Sequence, residues 1–384
     1  MAVKHTLFWG QSLALGSQGV PSLSTGPETA NAWLVAANGS SSIPLQSSVQ
    51  QQPQLSCGYR LSEARPTDRH LFSTHGLGGT SIEDLGKGGS SGRYEQAIDY
   101  ATAAYGVESA NGYTVEAVHA IQGEADQTFG TTFEDYLAAF TQLHTDFEAD
   151  IDAVTGQGTV PLITSQTATW AYYGSPARIG LAHLEAARTV PGIHVVGGQY
   201  QFPYADDLHM TNVGYYKLGE LHARVQQALV DGDGWEPFAP TGYTVTPTYI
   251  DVHYHVPTGV LEFDTTTVPA QPDMGFSLAG TAATITAVSI VAGNRVRLYT
   301  SQRVVEPAAA VGYGVAYDNG SVGLGNLCDG ETALSVLDDT RLANWALHSL
   351  DALNLPDSFA YDVAAMYYVG SGGNLYAMTP VDLD

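Results

Sequence analysis

The chain has 384 residues, 44% of them hydrophobic and 14% charged. This is a globular composition with enough length for two or three cores, and it excludes a disordered chain. With 39 acidic against 14 basic residues the formal net charge is −25, a surface that repels phosphate backbones and anionic lipid, so nucleic-acid partners and membrane insertion are not expected.

The first ten residues carry one lysine and a very short apolar run, without the apolar region and cleavage pattern of a secretory leader. The native protein is therefore either not exported by the general route or has had a leader trimmed, and its localisation stays open. Thr6–Trp9 is a short core strand. Residues 16–66 are rich in Ser, Gln and Pro and read as a long insertion above a sheet. From there the chain alternates. His70–Thr74 is strand-like and Tyr94–Tyr105 has helical spacing. Thr114–Ile121 suits a central strand. Thr131–Val154 is a long amphipathic helix in which Phe133, Leu137, Phe140, Leu143, Phe147 and Ile151 recur every three or four residues. Val160–Thr164 and Ile193–Gly197 are strands, and Pro176–Arg188 and Thr211–Leu229 are helices. Units of this length imply an α/β domain over residues 1–232, with a parallel sheet covered by helices on both faces.

Composition changes at the linker-like Asp231-Gly-Asp-Gly-Trp-Glu-Pro. Period-two alternation in Tyr249–Val256, Thr284–Val291 and Arg295–Tyr299 then predicts a small antiparallel β-sandwich over residues 240–322. Residues 323–384 form a third, short α+β stretch, with one helix expected near Asp339–Leu353 from the spacing of Leu342, Trp345, Ala346 and Leu350. Cys57 and Cys328 are far apart and in no metal-like spacing, and read as two unpaired core thiols.

An open parallel sheet binds ligands at the carboxyl ends of its strands, and four segments there carry reactive or polar residues. Gly10-Gln11-Ser12 follows the first strand, where a Ser hydroxyl can project into the crevice and its own N–H can face an oxyanion. Gly76-Leu-Gly-Gly-Thr80-Ser81 is either a loop whose N–H groups reach a substrate oxygen or an ordinary tight turn. Gln122-Gly-Glu124-Ala-Asp126 offers a side-chain amide at Gln122 and carboxylates able to fix the loop. Asp206-Asp207-Leu-His209 precedes the last helix, where an Asp can orient a His that faces a nucleophile on another loop.

The order of these blocks resembles the SGNH (GDSL-like) hydrolases, with the strongest likeness to the sialate O-acetylesterase and acetylxylan-esterase branch of carbohydrate esterases. The likeness rests on Gly10-Gln11-Ser12, Gly78-Gly-Thr-Ser81, Gln122-Gly-Glu124 and Asp206-x-x-His209 and covers residues 3–230. Leu13 stands where the branch often has Asn after the nucleophile, and Met210 where Pro commonly follows the His. The resemblance implies a three-layer, flavodoxin-like SGNH domain. It implies a serine esterase that removes O-acetyl groups from a carbohydrate, with Ser12 as nucleophile, His209 as base and Asp206 as the acid that orients it. Asp207 is the rival for that last place. The oxyanion would be held by the Ser12 N–H, a glycine N–H (Gly79) and the Gln122 side chain, with Gln11, Thr80, Glu124 and Asp126 supporting the loops. No metal or organic cofactor is implied, the partner is the acetylated carbohydrate itself, and the oligomeric state is left open. A broad short-chain carboxylesterase and a glycan-binding protein on a hydrolase scaffold are the competing readings. Gly325–Asp329 and Leu342–Trp345 also resemble C-terminal regions of phage-associated esterase-like proteins, which would suit a virion component acting on a host surface polysaccharide.

Other residues keep two readings. His253 and His255, two apart on a strand, are half a metal site or a cross-strand pair. Trp33, Trp170, Tyr172 and Tyr173 are sugar-stacking or rim aromatics. Trp345 is most simply a core anchor.

Overall fold

The computed structural model describes all residues except 1, 42, 175, 317–319, 356–365, 371–374 and 379–384, with backbone alone for 366–370 and 375–378. It divides into two compact units, residues 1–236 with 334–342, and residues 237–333 with 343–384.

In the first unit, β1 (Val3–Gly10) is buried along nearly its whole length, as a central parallel strand covered on both faces must be. It is followed by β2 (Ala32–Leu34), β3 (Ile43–Pro44), α1 (Pro53–Ala64), β4 (Arg69–Gly76), α2 (Ile82–Leu85), α3 (Arg93–Glu108) and β5 (Tyr113–Ile121). Then come α4 (Glu124–Phe129), α5 (Phe133–Thr155), β6 (Leu162–Gln166), α6 (Arg178–Thr189), β7 (Ile193–Gly198) and α7 (Asn212–Asp231). The sheet order is β3-β2-β4-β1-β5-β6-β7, parallel throughout except for the β2–β3 pair. The chain leaves β1 for β4 on one side and later returns to β5 on the other, so the crevice at the end of β1 is the topological switch point of the sheet.

Alternation along β1 sends Leu7 and Trp9 into a core formed with α3, α5 and α6, and Phe8 into a second core formed with α1 and α7. The long helix α5 begins at Thr132, whose hydroxyl accepts from the Asp135 N–H, and presents Tyr136, Phe140, Leu143, Phe147 and Ile151 to the sheet.

Residues 16–66 are not an insertion above the sheet, as their composition suggests. They supply β2, which extends the parallel sheet beside β4, and α1, which packs on α7. α1 escapes hydrophobic patterning because it buries Gln54, Ser56, Gly58 and Ser62 along with Leu55, Tyr59 and Leu61. Small and polar side chains let it approach α7 closely. Ser56 donates to the Tyr216 carbonyl at 2.7 Å, and a methyl on Gly219 would lie 2.1 Å from the Pro53 carbonyl oxygen and 2.2 Å from Ser56 Oγ.

The second unit holds β8 (Pro240–Val245), β9 (Tyr249–Tyr254), β10 (Glu262–Phe263), β11 (Phe276–Ala279), β12 (Ile285–Ala292), β13 (Arg295–Thr300), β14 (Ala310–Tyr313), β15 (Leu327–Cys328), β16 (Ser349–Ala352), β17 (Met366–Gly370) and β18 (Leu375–Met378). They form antiparallel sheets in the orders β12-β13-β9-β8-β17-β18, β11-β14-β16 and β10-β15. The helix expected at Asp339–Leu353 is absent. Trp345 bridges to Cys328, Leu334 to Arg341, and Ser349–Ala352 is a strand on β14. The apolar spacing there misleads because Leu342–Ser349 is buried at every residue and so has no solvent face. Residues 334–342 of the C-terminal stretch belong to the first unit, where Ser335 and the Val336 N–H bind the buried Glu220 carboxylate. Cys57 and Cys328 are both buried, and neither is in a disulfide.

The α1–α7 contact leaves no room for a side chain at Gly219. Gly219→Ala is expected to lower stability by about 1–3 kcal/mol, read as a reduced urea midpoint at unchanged m-value.

Candidate active site

The site begins where β1 meets β5. Gly10 has φ 145°, and a Cβ there would lie 2.0 Å from the Ile121 carbonyl oxygen, so glycine alone lets the two strand ends lie this close. Gln11 then donates its N–H to that same carbonyl at 3.1 Å, and the chain turns, with Leu15 N–H to Gln11 at 3.3 Å and Ser17 N–H to Ser12 at 3.0 Å. Ser12 sits at the amino end of this turn, where N–H groups point outward without partners in the turn itself. The Gln11 side chain crosses to the β5 loop, its Oε1 accepting from the N–H groups of Gly123 (3.4 Å) and Ala125 (3.2 Å).

The opposing wall is the loop between β7 and α7. It is closed on itself by Ala205 N–H to the His209 carbonyl (2.8 Å) and Thr211 N–H to the Pro203 carbonyl (2.9 Å), and Thr211 caps α7 by accepting from the Gly214 N–H. Asp206 Oδ1 accepts from the N–H groups of Leu208 (2.8 Å) and His209 (2.6 Å). His209 Nδ1 lies 3.0 Å from Asp206 Oδ2, and His209 Nε2 lies 3.0 Å from Ser12 Oγ. A carboxylate only accepts, so Nδ1 carries the proton and Nε2 is free to accept from the serine hydroxyl. Burial by itself would raise the Asp206 carboxyl. The His209 N–H, the His209 ring and the Leu208 N–H outweigh it and hold the group below its ordinary range, so it stays ionised. The ring's partner is Asp206 and not Asp207, which is exposed on the same loop.

This chain of groups opens into a pocket of about 330 Å³. Its lining combines the polar and backbone-rich Gln11, Ser12, Gly78, Gly79, Thr128 and His209 with Ala125, Phe129, Tyr173 and Leu208. Gly78 lies directly against the nucleophile loop, since a Cβ on it would be 3.6 Å from Ser12 Cβ.

Gln122 is placed differently from the expectation. Its Nε2 donates to the Thr80 carbonyl (3.3 Å) and to the Asp126 carboxylate, and its Oε1 accepts from the Tyr136 hydroxyl at 2.7 Å. It is not among the residues lining the pocket. Gln122 is a buried pin between loops. Asp126 completes that pin by accepting from the Ile82 N–H and the Thr131 hydroxyl. Thr80 contributes its carbonyl to Gln122, while its hydroxyl donates to the Gly78 carbonyl. Glu124 is fully buried, and among the described residues neither of its carboxylate oxygens has a hydrogen-bond partner. Burial pushes it up to about 7, its own backbone N–H opposing the shift and the neighbouring Asp126 charge adding to it.

Leu13 and Met210, the two departures from the resembled pattern, are both core residues with no exposure. Of the aromatics, Tyr173 lines the pocket and Tyr172 is exposed beside it, their rings edge-to-face at 4.9 Å. Trp33 packs against the core of the first unit, with the Arg69 guanidinium over its ring. Trp345 is buried, and His253 and His255 belong to the second unit, where His253 Nε2 is 2.8 Å from Thr244 Oγ1. Phe129 and Leu208 were invisible as pocket residues, although an aromatic closing a six-residue helix just before Gly130 is a usable signal for the first.

A family profile described as "carbohydrate esterase, sialic acid-specific acetylesterase" matches residues 29–228, just over half of the chain. Gly78–Ser81, Gln122–Glu124 and Asp206–His209 fall inside the match, and Gly10–Ser12 precedes it. Among solved structures, a carbohydrate acetylesterase from Xanthomonas citri is similar over 90% of this chain and 80% of its own, at 15% identity and a TM-score of 0.61. That likeness concerns the fold. A protein from Arabidopsis thaliana (17% identity, 59% of this chain and 98% of its own, TM-score 0.49) and NanS (12%, 60% and 98%, 0.48) are also similar. No curated protein sequence matches the chain.

The buried Glu124 carboxyl titrates in the folded state at about 7, above its unfolded value. The folded protein therefore keeps this proton where the unfolded chain has lost it, and the associated stability is present at low pH and disappears as pH rises towards 7 and beyond. Glu124→Gln removes this term. Relative to wild type the variant is expected to gain on the order of 2–4 kcal/mol between pH 5 and pH 8, measured by urea denaturation at both.

Proposed function

The chain belongs to the sialic acid-specific acetylesterase family of carbohydrate esterases, and from that premise we propose that Ser12, His209 and Asp206 carry out its ester hydrolysis. The observation that supports this reading is the continuous hydrogen-bonded series from Ser12 Oγ through His209 to Asp206, at 3.0 Å per step, opening onto the pocket. Ser12 Oγ attacks the acetyl carbonyl carbon while His209 Nε2 takes its proton, and Asp206 stabilises the imidazolium. The negative charge that develops on the carbonyl oxygen is met by the N–H of Ser12 and the N–H of Gly79. Gln122 is left out of this role because its amide is already committed to Thr80 and Asp126. The tetrahedral intermediate collapses, the sugar hydroxyl leaves with the proton from Nε2, and an acetyl group remains on Ser12. Water then attacks that ester with His209 Nε2 taking its proton, Nε2 returns the proton to the departing Ser12 Oγ, and the acetic acid released ionises to acetate in solvent. Every proton and bond in the cycle is accounted for by these residues and water.

The second unit is proposed to act as a binding or spacing module for the polymer that carries the acetyl groups. The argument for it is analogy with accessory β-domains that follow carbohydrate esterases.

The test is acetate release from 4-nitrophenyl acetate. Ser12→Ala is expected to lower kcat by about 10³-fold or more, and Asp206→Asn by about 10²–10⁴-fold through loss of the correct imidazole tautomer. Full activity in Ser12→Ala would remove it from the mechanism. Equal turnover of butyrate and octanoate esters would favour a broad carboxylesterase, and glycan binding without turnover a binding protein.

A further inference from the structure

The pocket has a composition that bears on which acetylated sugars it accepts. Among the described residues that line it, none is Lys or Arg. Recognition of a sugar carboxylate ordinarily relies on such a group, above all on the two-pronged fork of an arginine. The arginine next to α4, Arg178, has its Nε on the Thr131 carbonyl and is not a lining residue. The ionised group beside the pocket is acidic: Asp206, behind His209. The chain as a whole adds a net charge of −25. An entering carboxylate would meet repulsion without a counter-ion.

The lining that Ser12 shares is apolar and partly aromatic at Ala125, Phe129, Tyr173 and Leu208. Phe129 is 63% exposed yet held at the end of a helix whose start is anchored by Gln11. Tyr173 is braced by Tyr172. A pyranose presents a ring face of C–H groups, and burying it against aromatic side chains recovers apolar area at about 25 cal/mol per Å². A solvent-exposed phenylalanine beside a nucleophile is more informative than a buried one, because the fold gains little from it.

We propose that this site acts on O-acetyl esters of uncharged sugars and discriminates against acetylated sugars that carry a carboxylate, with Phe129 and Tyr173 as the platform for the sugar ring. The proposal rests on the reading of Ser12 as nucleophile, and it departs from the sialate specificity in the family's description.

The test uses a matched pair: the methyl glucoside and the methyl glucuronide with the same O-acetyl substitution, together with 4-nitrophenyl acetate. At low ionic strength kcat/KM for the glucoside should exceed that for the glucuronide by about tenfold or more, and the gap should narrow as salt screens the carboxylates. Phe129→Arg places a cation on the same wall and removes the platform, so it should lower kcat/KM for the glucoside and raise it for the glucuronide. Comparable rates for the two sugars across the salt range, with Ser12-dependent cleavage of 4-nitrophenyl acetate, overturn the charge discrimination alone. If wild type fails to cleave 4-nitrophenyl acetate, or Ser12→Ala cleaves it equally well, the nucleophile reading falls and this proposal with it.

Discussion

The site depends on one close approach, the end of β1 against the end of β5. Gly10 permits it, the Gln11 N–H fixes it on the Ile121 carbonyl, and the Gln11 side chain extends it to Gly123 and Ala125. These bonds set the nucleophile loop relative to α4, and α4 carries the apolar wall of the pocket. Because both loops leave the centre of a sheet buried on both faces, their positions are set by packing that costs much to disturb. His209 and Asp206 come from elsewhere, the loop between β7 and α7, and Asp206 fixes that loop by binding its N–H groups as well as the ring. The carboxylate therefore has a structural and an orienting task at once, which is why it can remain partly exposed without losing its aim.

Behind the pocket the loops are joined by polar groups in a place where apolar ones would be cheaper. Gln122, Asp126, Tyr136 and the Thr80 carbonyl satisfy one another in a connected cluster, as buried polar groups must. Glu124 stands beside this cluster without a partner among the described residues. A group buried that way is kept against stability, and its raised titration range is the measure of that cost. The cluster's directionality is what an apolar core could not supply. Each bond specifies an angle as well as a distance, and the loops that carry Gly79 and Ala125 inherit that precision.

Much of this was legible in the residues. The strand–helix rhythm from Arg69 onward follows from two periods of hydrophobicity, and the four loops that carry chemistry sit where a parallel sheet puts them. Ser12, Asp206 and His209 could be paired through the resemblance of the ordered blocks to the SGNH hydrolases, and the three side chains lie in one hydrogen-bonded series. Three features were not legible, each for a physical reason. The helix α1 hides its burial in Ser, Gln and Gly, which carry no hydrophobic signal, and its Ser56 meets α7 beside Gly219. The buried run Leu342–Ser349 has helical apolar spacing but no polar face to make that spacing meaningful. Gln122 has the right chemistry for an oxyanion donor, but its amide N–H groups are given to Thr80 and Asp126 while its Oε1 accepts from Tyr136. Propensity and motif describe what a side chain can do, and partners decide which of those things it does.

The acidity of the molecule can be read through the same chemistry. A negative field opposes the charge that forms on the carbonyl oxygen during attack, so a protein with net charge −25 needs local donors strong enough to override it. Backbone N–H groups are suited to this, because they are fixed dipoles a bond length or two from the oxygen, while the surface carboxylates are distant and screened by salt. At the other end of the cycle the field works in favour of turnover. The product is an acetate anion, and the nearest charges that could retain it are carboxylates. With no lysine or arginine among the described lining residues, the released anion has no partner to hold it in the pocket. On the proposed specificity, a site that disfavours anionic substrates also releases the one anion it makes, and both properties follow from a lining without Lys or Arg among the described residues.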